Sequence, residues 1–239
     1  MLLYEGKVDS LGEGNDESVK LSGRNIVVWS GGADSTAVLN YYAGVSCADY
    51  PVVAVSVAGH VCLNQIQCKL QNEAQERYLK FARDKGFHIK HQKVRIDGSD
   101  GILPGYEDKR SCFMQPLLWL LYLMPYVGDD DTVHFGYIQG DGFWHIRREF
   151  EDVFDSISKM MMLKNVSISY PFEWGRKYQI LEKLGNSKVP DNCWWSCDAP
   201  KKDGKKCGIC TKCRDIVKAK SELRRSNDRK SKRLRRKKS

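Results

Sequence analysis

Residues 25–36 of this chain read Asn-Ile-Val-Val-Trp-Ser-Gly-Gly-Ala-Asp-Ser-Thr, and they decide the fold of the rest. The apolar, β-branched residues 26–28 predict a short buried strand. Gly31 and Gly32 then form a turn, and Asp34 and Ser35 open a helical pattern. Such a turn collects backbone N–H groups at the positive end of a helix dipole, which favours an anion. The sequence therefore predicts a phosphate-binding turn, with a ligand-free tight connection as the alternative.

The remaining chain alternates apolar runs with amphipathic stretches. Further strands are predicted near 51–57, 88–95, 132–137 and 166–170, with helices between them. This alternation is typical of an α/β protein with a doubly wound, mostly parallel sheet. We divide the chain into four parts: an N-terminal extension (1–24), an α/β domain that contains the glycine turn (25–190), a cysteine segment (191–217) and a basic tail (218–239).

The net charge of +9 is concentrated in the tail. Residues 218–239 contain 12 Lys or Arg against Glu222 and Asp228, a net of +10, so the preceding residues sum to about −1. With few apolar residues, the tail is expected to be disordered beyond about Ser226. It is interpreted either as a solvated, solubilising terminus or as a nonspecific contact with nucleic acid.

Composition favours a cytoplasmic protein with no membrane segment. The longest apolar run, 112–127, contains two prolines and is too short to span a bilayer. The first 22 residues lack the apolar core of a signal peptide. Nine cysteines, four of them crowded at metal spacing, fit a reducing compartment.

The crowded cysteines predict a structural metal site. Three stand at Cys-x-x-Cys-x-x-Cys spacing, and four thiolates suit tetrahedral zinc. An iron–sulfur cluster or free or disulfide-bonded cysteines are the alternatives, and Cys193 is a rival for the first ligand. The predicted zinc ligands are Cys197, Cys207, Cys210 and Cys213.

Together these motifs resemble a known family. Ser-Gly-Gly-x-Asp-Ser after a strand is similar to the pyrophosphate loop of the PP-loop ATP pyrophosphatases. With a cysteine cluster near the end, the order resembles 7-cyano-7-deazaguanine synthase, the QueC family. Two further segments carry the resemblance: residues 142–150, Gly-Phe-Trp-His-Ile-Arg-Arg-Glu-Phe, and residues 171–177, Pro-Phe-Glu-Trp-Gly-Arg-Lys.

The resemblance implies an activity and a set of site residues. The family converts 7-carboxy-7-deazaguanine and ammonia to the nitrile through adenylated intermediates, using ATP, Mg²⁺ and Zn²⁺. The implied ATP contacts are Ser30, Gly31, Gly32, Asp34, Ser35 and Thr36. Asp34, Ser35 and Lys177 are the expected catalytic residues, although a lysine at a helix start is often only solvated. The expected substrate contacts are His60, Phe143, Trp144 and Arg147, with packing under a loop as the alternative for Trp144.

Several other family motifs are changed, so alternative functions stay open. The second hypothesis is another PP-loop adenylating enzyme, such as a thiolase, ligase or base-conjugating enzyme acting on a deazaguanine, tRNA or protein. The third is a binding protein that keeps the fold for nucleotide sensing. The expected partners are ATP and a 7-deazaguanine, and a homodimer stays open.

Overall fold

The chain folds around a five-stranded sheet with strand order β3-β2-β1-β4-β5. The computed structural model describes residues 23–59, 65–96 and 114–236. All four neighbouring strand pairs are parallel. The strands are β1 (Asn25–Val28), β2 (Val52–Gly59), β3 (Ile89–Ile96), β4 (Thr132–His134) and β5 (Ser167–Ser169).

Six α-helices, counted over the described residues, cover both faces of this sheet. They are α1 (Ala33–Ala43), α2 (Gln65–Asp84), α3 (Met114–Leu123), α4 (Arg147–Met160), α5 (Lys177–Asn186) and α6 (Thr211–Arg236). On one face α1, α2, α5 and α6 pack over Val27 and Ala54. On the other, α3 and α4 pack over Ile26 and Val55. The predicted α/β class with a doubly wound parallel sheet is therefore confirmed.

Strand β1 lies at the centre because its residues suit burial on both faces. Ile26 and Val27 are fully buried, one in each core. The strand order reverses between β1 and β4, since the chain moves outward through β2 and β3 and then returns to the other side of β1. The loops leaving β1 and β4 diverge at this switch point and leave a crevice at the carboxyl edge of the sheet.

The basic tail departs from the prediction. Disorder was expected beyond Ser226, whereas α6 runs without a break from Thr211 to Arg236. The helix starts on packed residues, since Ile216 and Ala219 are buried in the core. Lys and Arg have high helix propensity, so once this packed turn has nucleated the helix, the basic residues extend it.

Two expectations fall outside the described residues. The N-terminal extension is described only from Gly23, and the substrate contact assigned to His60 lies in a segment that is not described. Within the described ranges, no helix has both the length and the apolar character needed to cross a membrane.

Candidate active site at the carboxyl edge of the sheet

The turn after β1 has the shape that the sequence predicts. Gly31 adopts φ of +78°, which favours glycine, and a Cβ there would lie 3.1 Å from the Cγ of Gln75. The hydroxyls of Ser30 and Ser35 lie 3.0 Å apart, and the Ser35 hydroxyl also donates to the Gly32 carbonyl at 3.3 Å. Gly32 caps α1 without a side-chain hydrogen bond. The first turn of α1 therefore presents its backbone to the crevice, with Ser30 and Ser35 bracing the loop.

A second glycine allows β4 to approach this helix start. An added Cβ on Gly136, two residues after β4, would lie 2.6 Å from the backbone nitrogen of Ser35 and 2.9 Å from the carbonyl carbon of Asp34. Real Cβ atoms do not come so close to backbone. Gly136 is thus the residue that lets the end of β4 contact the first turn of α1.

Asp34 and Lys177 form an ion pair across the crevice. The Lys177 Nζ, at the first residue of α5, donates to Asp34 Oδ2, and both side chains are largely buried. The other carboxylate oxygen, Oδ1, is buried and has no hydrogen-bond partner among the described residues. A lysine at a helix start is unfavourable with the helix dipole, so the start of α5 concentrates positive charge here. This arrangement suits an anionic ligand, and the buried Asp34 oxygen without a partner is a group that a bound cation would satisfy.

Asp141 is a site residue that sequence reasoning missed. It lies in the loop after β4, and its Oδ2 accepts a hydrogen bond of 2.8 Å from the Ile138 N–H. Burial raises the pKa of Asp141, and the nearby charge of Asp34 raises it further, while Lys177 and Lys212 oppose the shift. The Asp141 carboxyl is therefore close enough to Asp34 and Lys177 for their charges to act on it. Its position in a polar loop at the carboxyl end of a strand was the signal that could have found it.

The cysteine segment packs directly on the turn after β1. The Trp195 N–H donates to the Gly31 carbonyl at 2.8 Å, and the indole N–H of the same residue donates to the Cys197 carbonyl at 2.8 Å. Trp195 thus joins the first cysteine of the cluster to the turn after β1. This connection was also absent from the sequence analysis, because no local pattern reports a contact between segments 164 positions apart.

The four predicted cysteines come together. Their Sγ atoms all lie within 4.8 Å of one another, with 3.9 Å between Cys207 and Cys213 and 4.0 Å between Cys210 and Cys197. Zn–S bonds of about 2.3 Å in a tetrahedron place sulfurs about 3.8 Å apart, so these distances fit a single ion. In a 4Fe–4S cluster each thiolate binds a different iron, which holds the sulfurs further apart. Cys193, the rival for the first ligand, lies outside the cluster.

The protonation of these thiols fits a site that needs a metal. Hydrogen bonds from the backbone N–H groups of Cys210 and Ile209 lower the pKa of Cys207 to about 6. Burial raises the pKa of Cys197, and raises that of Cys213 to about 12. A bound cation would favour the thiolate at all of them.

For two predicted ligand contacts the structure shows a packing role for the side chain. The Thr36 hydroxyl accepts a hydrogen bond from the Trp29 indole N–H at 3.0 Å, and its backbone N–H donates to Gly32, so Thr36 points into the core. Phe143 is 5% exposed. Tyr137 stacks on it with ring centroids 3.8 Å apart, so Phe143 has no free face for a base.

Trp144 and Arg147 lie beside this aromatic core with their polar groups engaged. The Trp144 indole N–H donates to the Ile138 carbonyl at 2.7 Å, which favours the packing alternative. Arg147 pairs with Glu151 at 2.7 Å and with Glu173 at 2.9 Å. Both residues shape the loops around the crevice, and neither presents an unpaired polar group to it.

Comparison with known proteins agrees with the sequence motifs. A family model described as queuosine biosynthesis protein QueC matches residues 122–223, which run from α3 through the cysteine cluster into α6. No curated protein matches the chain. Among solved structures, the U34-tRNA thiolase NcsA from Methanococcus maripaludis, with its 4Fe–4S cluster, matches at 14% identity and a TM-score of 0.44. The match covers 73% of this chain, and the chain spans 60% of the length of that thiolase.

The family match and the glycine-containing turn after β1 together support an enzyme that uses ATP. The match begins after the turn, so motif and family model cover different parts of the chain. The resemblance to the QueC family that the sequence motifs indicate is confirmed over residues 122–223, which match the family model.

Proposed function

We propose that the chain adenylates 7-carboxy-7-deazaguanine and, with ammonia, converts it to 7-cyano-7-deazaguanine. The observation that carries this proposal is the Asp34–Lys177 pair beside the turn after β1. Cleavage of ATP to AMP and pyrophosphate places new negative charge on the leaving pyrophosphate. A preorganised lysine and a helix start stabilise that charge as it forms.

The proposed reaction proceeds through two successive adenylations, first of the acid and then of the amide. A carboxylate oxygen of the substrate attacks the α-phosphorus, and the bond to pyrophosphate breaks. Ammonia displaces AMP from the acyl adenylate and loses a proton, which gives the amide. The amide oxygen then attacks the α-phosphorus of a second ATP and displaces pyrophosphate, and loss of AMP and two protons leaves the nitrile.

Each residue of the crevice has a place in this scheme. Backbone N–H groups from Gly31 to Ser35 bind the β- and γ-phosphates, and Lys177 neutralises them. Asp34 orients Lys177 through Oδ2, and its Oδ1 is a suitable ligand for Mg²⁺. When bound, the cation supplies charge neutralisation at the phosphates.

Trp174 replaces Phe143 in our proposal as the surface for the deazaguanine ring. It is 80% exposed and lies in the turn just before Lys177. This turn is joined to the β4 loop by a hydrogen bond of 3.1 Å from the Gln139 N–H to the Gly175 carbonyl. A flat bicyclic base could stack on its free face at the mouth of the crevice.

A second candidate is a related adenylating enzyme that acts on another acceptor. It is favoured by the state of the expected substrate contacts, since Phe143 is buried and Arg147 is paired with two glutamates. An enzyme of this kind would use the same phosphate site and release the same pyrophosphate.

The test supplies the protein with ATP, Mg²⁺, ammonia and a panel of deazaguanines, and identifies products by mass spectrometry. We expect the nitrile from the 7-carboxy compound, with the amide as an intermediate. Trp174→Ala should raise the KM for the deazaguanine about tenfold and leave the KM for ATP unchanged, whereas Trp144→Ala should lower thermal stability. AMP formation without any nitrile would support the second candidate.

We also propose that the cysteine cluster holds one structural Zn²⁺ that supports the phosphate-binding turn through Trp195. Purified protein should contain about one zinc per chain and no iron. Chelation should lower the Tm and weaken ATP binding together, because the segment from Trp195 to Cys213 loses the ion that organises it. Elemental analysis that found iron, or ATP binding that survived complete zinc removal, would contradict this.

A further inference from the structure

The last turns of α6 form a basic surface that the proposed enzyme chemistry does not use. Among the α6 side chains that the structure describes, which end at Arg229, Leu223 is the last to pack against the core. From Arg224 the helix continues for 13 residues to Arg236, a length of about 20 Å. We propose that this segment, residues 224–236, binds the phosphate backbone of a nucleic-acid duplex.

The helix places the basic positions on one side. At 100° per residue, seven of the eight Lys and Arg positions of the segment fall within one half of the circumference. Leu223 and Leu234 fall in the other half, together with Ser226, Asn227 and Ser231. The seven are Arg224, Arg225, Arg229, Lys232, Arg233, Arg235 and Arg236.

These charges are available to a partner. Arg224, Arg225 and Arg229 are exposed, and Asp228 is the one acidic position in the basic half. The ion pairs found within the described ranges do not include any of the three arginines. Outside residues 218–239 the chain is nearly neutral, so this charge has no counterpart elsewhere in the protein.

A duplex fits this surface better than a membrane does. A helix that lies in a bilayer surface needs an apolar face opposite its charges. Here the opposite face is mostly polar, and Leu223 is already packed against the core. A duplex carries one negative charge per about 1.7 Å of its axis, so a straight basic helix of about 20 Å meets many phosphates without reading a sequence.

The test measures binding of the full chain to a labelled 20-base-pair DNA duplex of arbitrary sequence by fluorescence anisotropy at 50–200 mM salt. The test variant combines Arg224→Gln, Arg225→Gln and Arg229→Gln, since glutamine keeps helix propensity. The control combines Arg148→Gln, Lys159→Gln and Lys164→Gln, three exposed residues on and after α4. Both variants lose three charges.

We expect the wild type to bind less tightly as salt increases. The helix variant should bind at least tenfold more weakly at 50 mM salt, with a logarithmic salt slope smaller by about three. The control should retain most of the affinity, and ATP binding should be unchanged in both. A parallel series with a folded RNA shows whether the duplex is DNA or RNA.

Three results would overturn the proposal. The first is an equal loss of affinity in both variants, which would mean general charge attraction. The second is duplex binding that does not respond to the helix variant. The third is tighter binding to phosphatidylserine vesicles than to the duplex at equal phosphate concentration, which would assign the surface to a membrane. None of these results bears on the ATP chemistry, so the two proposals fail separately.

Discussion

Two ion pairs at opposite ends of strand β1 differ in how completely they are satisfied. At the N-terminal end of β1, the side chain of Asp131 accepts a hydrogen bond of 2.7 Å from the Arg24 backbone N–H and one of 2.6 Å from the Arg24 guanidinium. The Gly128 N–H adds another at 2.7 Å, so both carboxylate oxygens are occupied. After the strand, Asp34 meets Lys177 through one oxygen, and the other is buried without a partner among the described residues.

The difference separates a residue that stabilises the fold from one that is prepared for a ligand. Asp131 joins the entrance of β1 to the loop before β4, and its hydrogen bonds raise the pKa of Arg24. Nothing remains for a ligand to satisfy there. At the C-terminal end of β1, the unpaired buried oxygen of Asp34 and the position of Lys177 at a helix start both lower the stability of the fold. Binding sites commonly contain such destabilising features.

The largest effect on stability is expected at the satisfied pair. Asp131→Ala removes a buried carboxylate and leaves several donors unpaired, so the free energy of unfolding should fall by about 3–5 kcal/mol. For a chain of this size, this lowers Tm by roughly 6–20 °C. Calorimetry of Asp131→Ala beside Asp155→Ala, an exposed aspartate on α4, measures it. An equal, small shift in both variants would show that Asp131 is not a structural anchor.

The next effect is expected in ligand binding rather than in stability. Lys177→Met removes a charge-assisted contact to phosphate, which is worth about 1.5–3 kcal/mol, or roughly 10- to 150-fold in ATP affinity. Lys183→Met, an exposed lysine on the same helix, is the control. Titration calorimetry gives the affinities, and Lys177→Met should also lower Tm somewhat, because it leaves the Asp34 carboxylate without its partner. A loss of Tm without a loss of affinity would assign Lys177 to the fold.

A smaller effect is expected from the close approach of β4 to α1. Gly136→Ala places a methyl group 2.6 Å from the Ser35 nitrogen, so the first turn of α1 must move. We expect a fall in ATP affinity of about tenfold, because displaced N–H groups lose alignment with the phosphates. Gly142→Ala, where a Cβ meets nothing within 4 Å, should bind ATP normally. Equal affinities would show that the contact does not set the turn.

The smallest effect is the pH dependence of the free energy of unfolding that comes from a buried histidine in β4. His134 is buried at the end of β4, and burial lowers its pKa to about 3. Between pH 6.5 and about 3 the unfolded chain therefore binds a proton that the folded chain does not, so this contribution to stability is lost as pH falls. At pH 5.5 the loss is about 1.4 kcal/mol.

Urea unfolding of wild type and His134→Gln at pH 7.5 and 5.5 isolates this contribution. The difference in stability between the two pH values should be smaller in the variant by about that amount. Parallel pH dependence in the two proteins would mean that His134 is protonated in the folded chain or exposed to water.

Local signals predicted much of the geometry of the candidate site. The strand, glycine turn and helix of residues 25–36 are a continuous pattern, and the spacing of Cys207, Cys210 and Cys213 places three ligands together wherever the segment lies. Lys177 was found by its family motif. The turn and the three cysteines depend on neighbours in sequence, whereas the contact of Lys177 with Asp34, 143 positions away, could be expected only from the family resemblance.

The residues that sequence reasoning missed depend on contacts between distant segments. Trp195 supports the turn through a backbone hydrogen bond, which no side-chain pattern reports. Phe143 was expected to be free because it lies in a loop, but Tyr137 and Phe150 enclose it. The prediction of a disordered tail rested on its charge density alone. It did not consider that the packed first turns of α6 nucleate a helix into which the basic residues continue.

The central claim is that the turn after β1 binds the pyrophosphate part of ATP. Competition calorimetry tests it without requiring the acceptor substrate, by titrating ATP with Mg²⁺ in the presence of pyrophosphate or of AMP. We expect pyrophosphate to displace ATP, and we expect Lys177→Met to weaken the binding of pyrophosphate and of ATP by the same factor while AMP binding is unchanged. Binding of ATP that pyrophosphate does not displace, or an equal loss of AMP affinity in Lys177→Met, would contradict it.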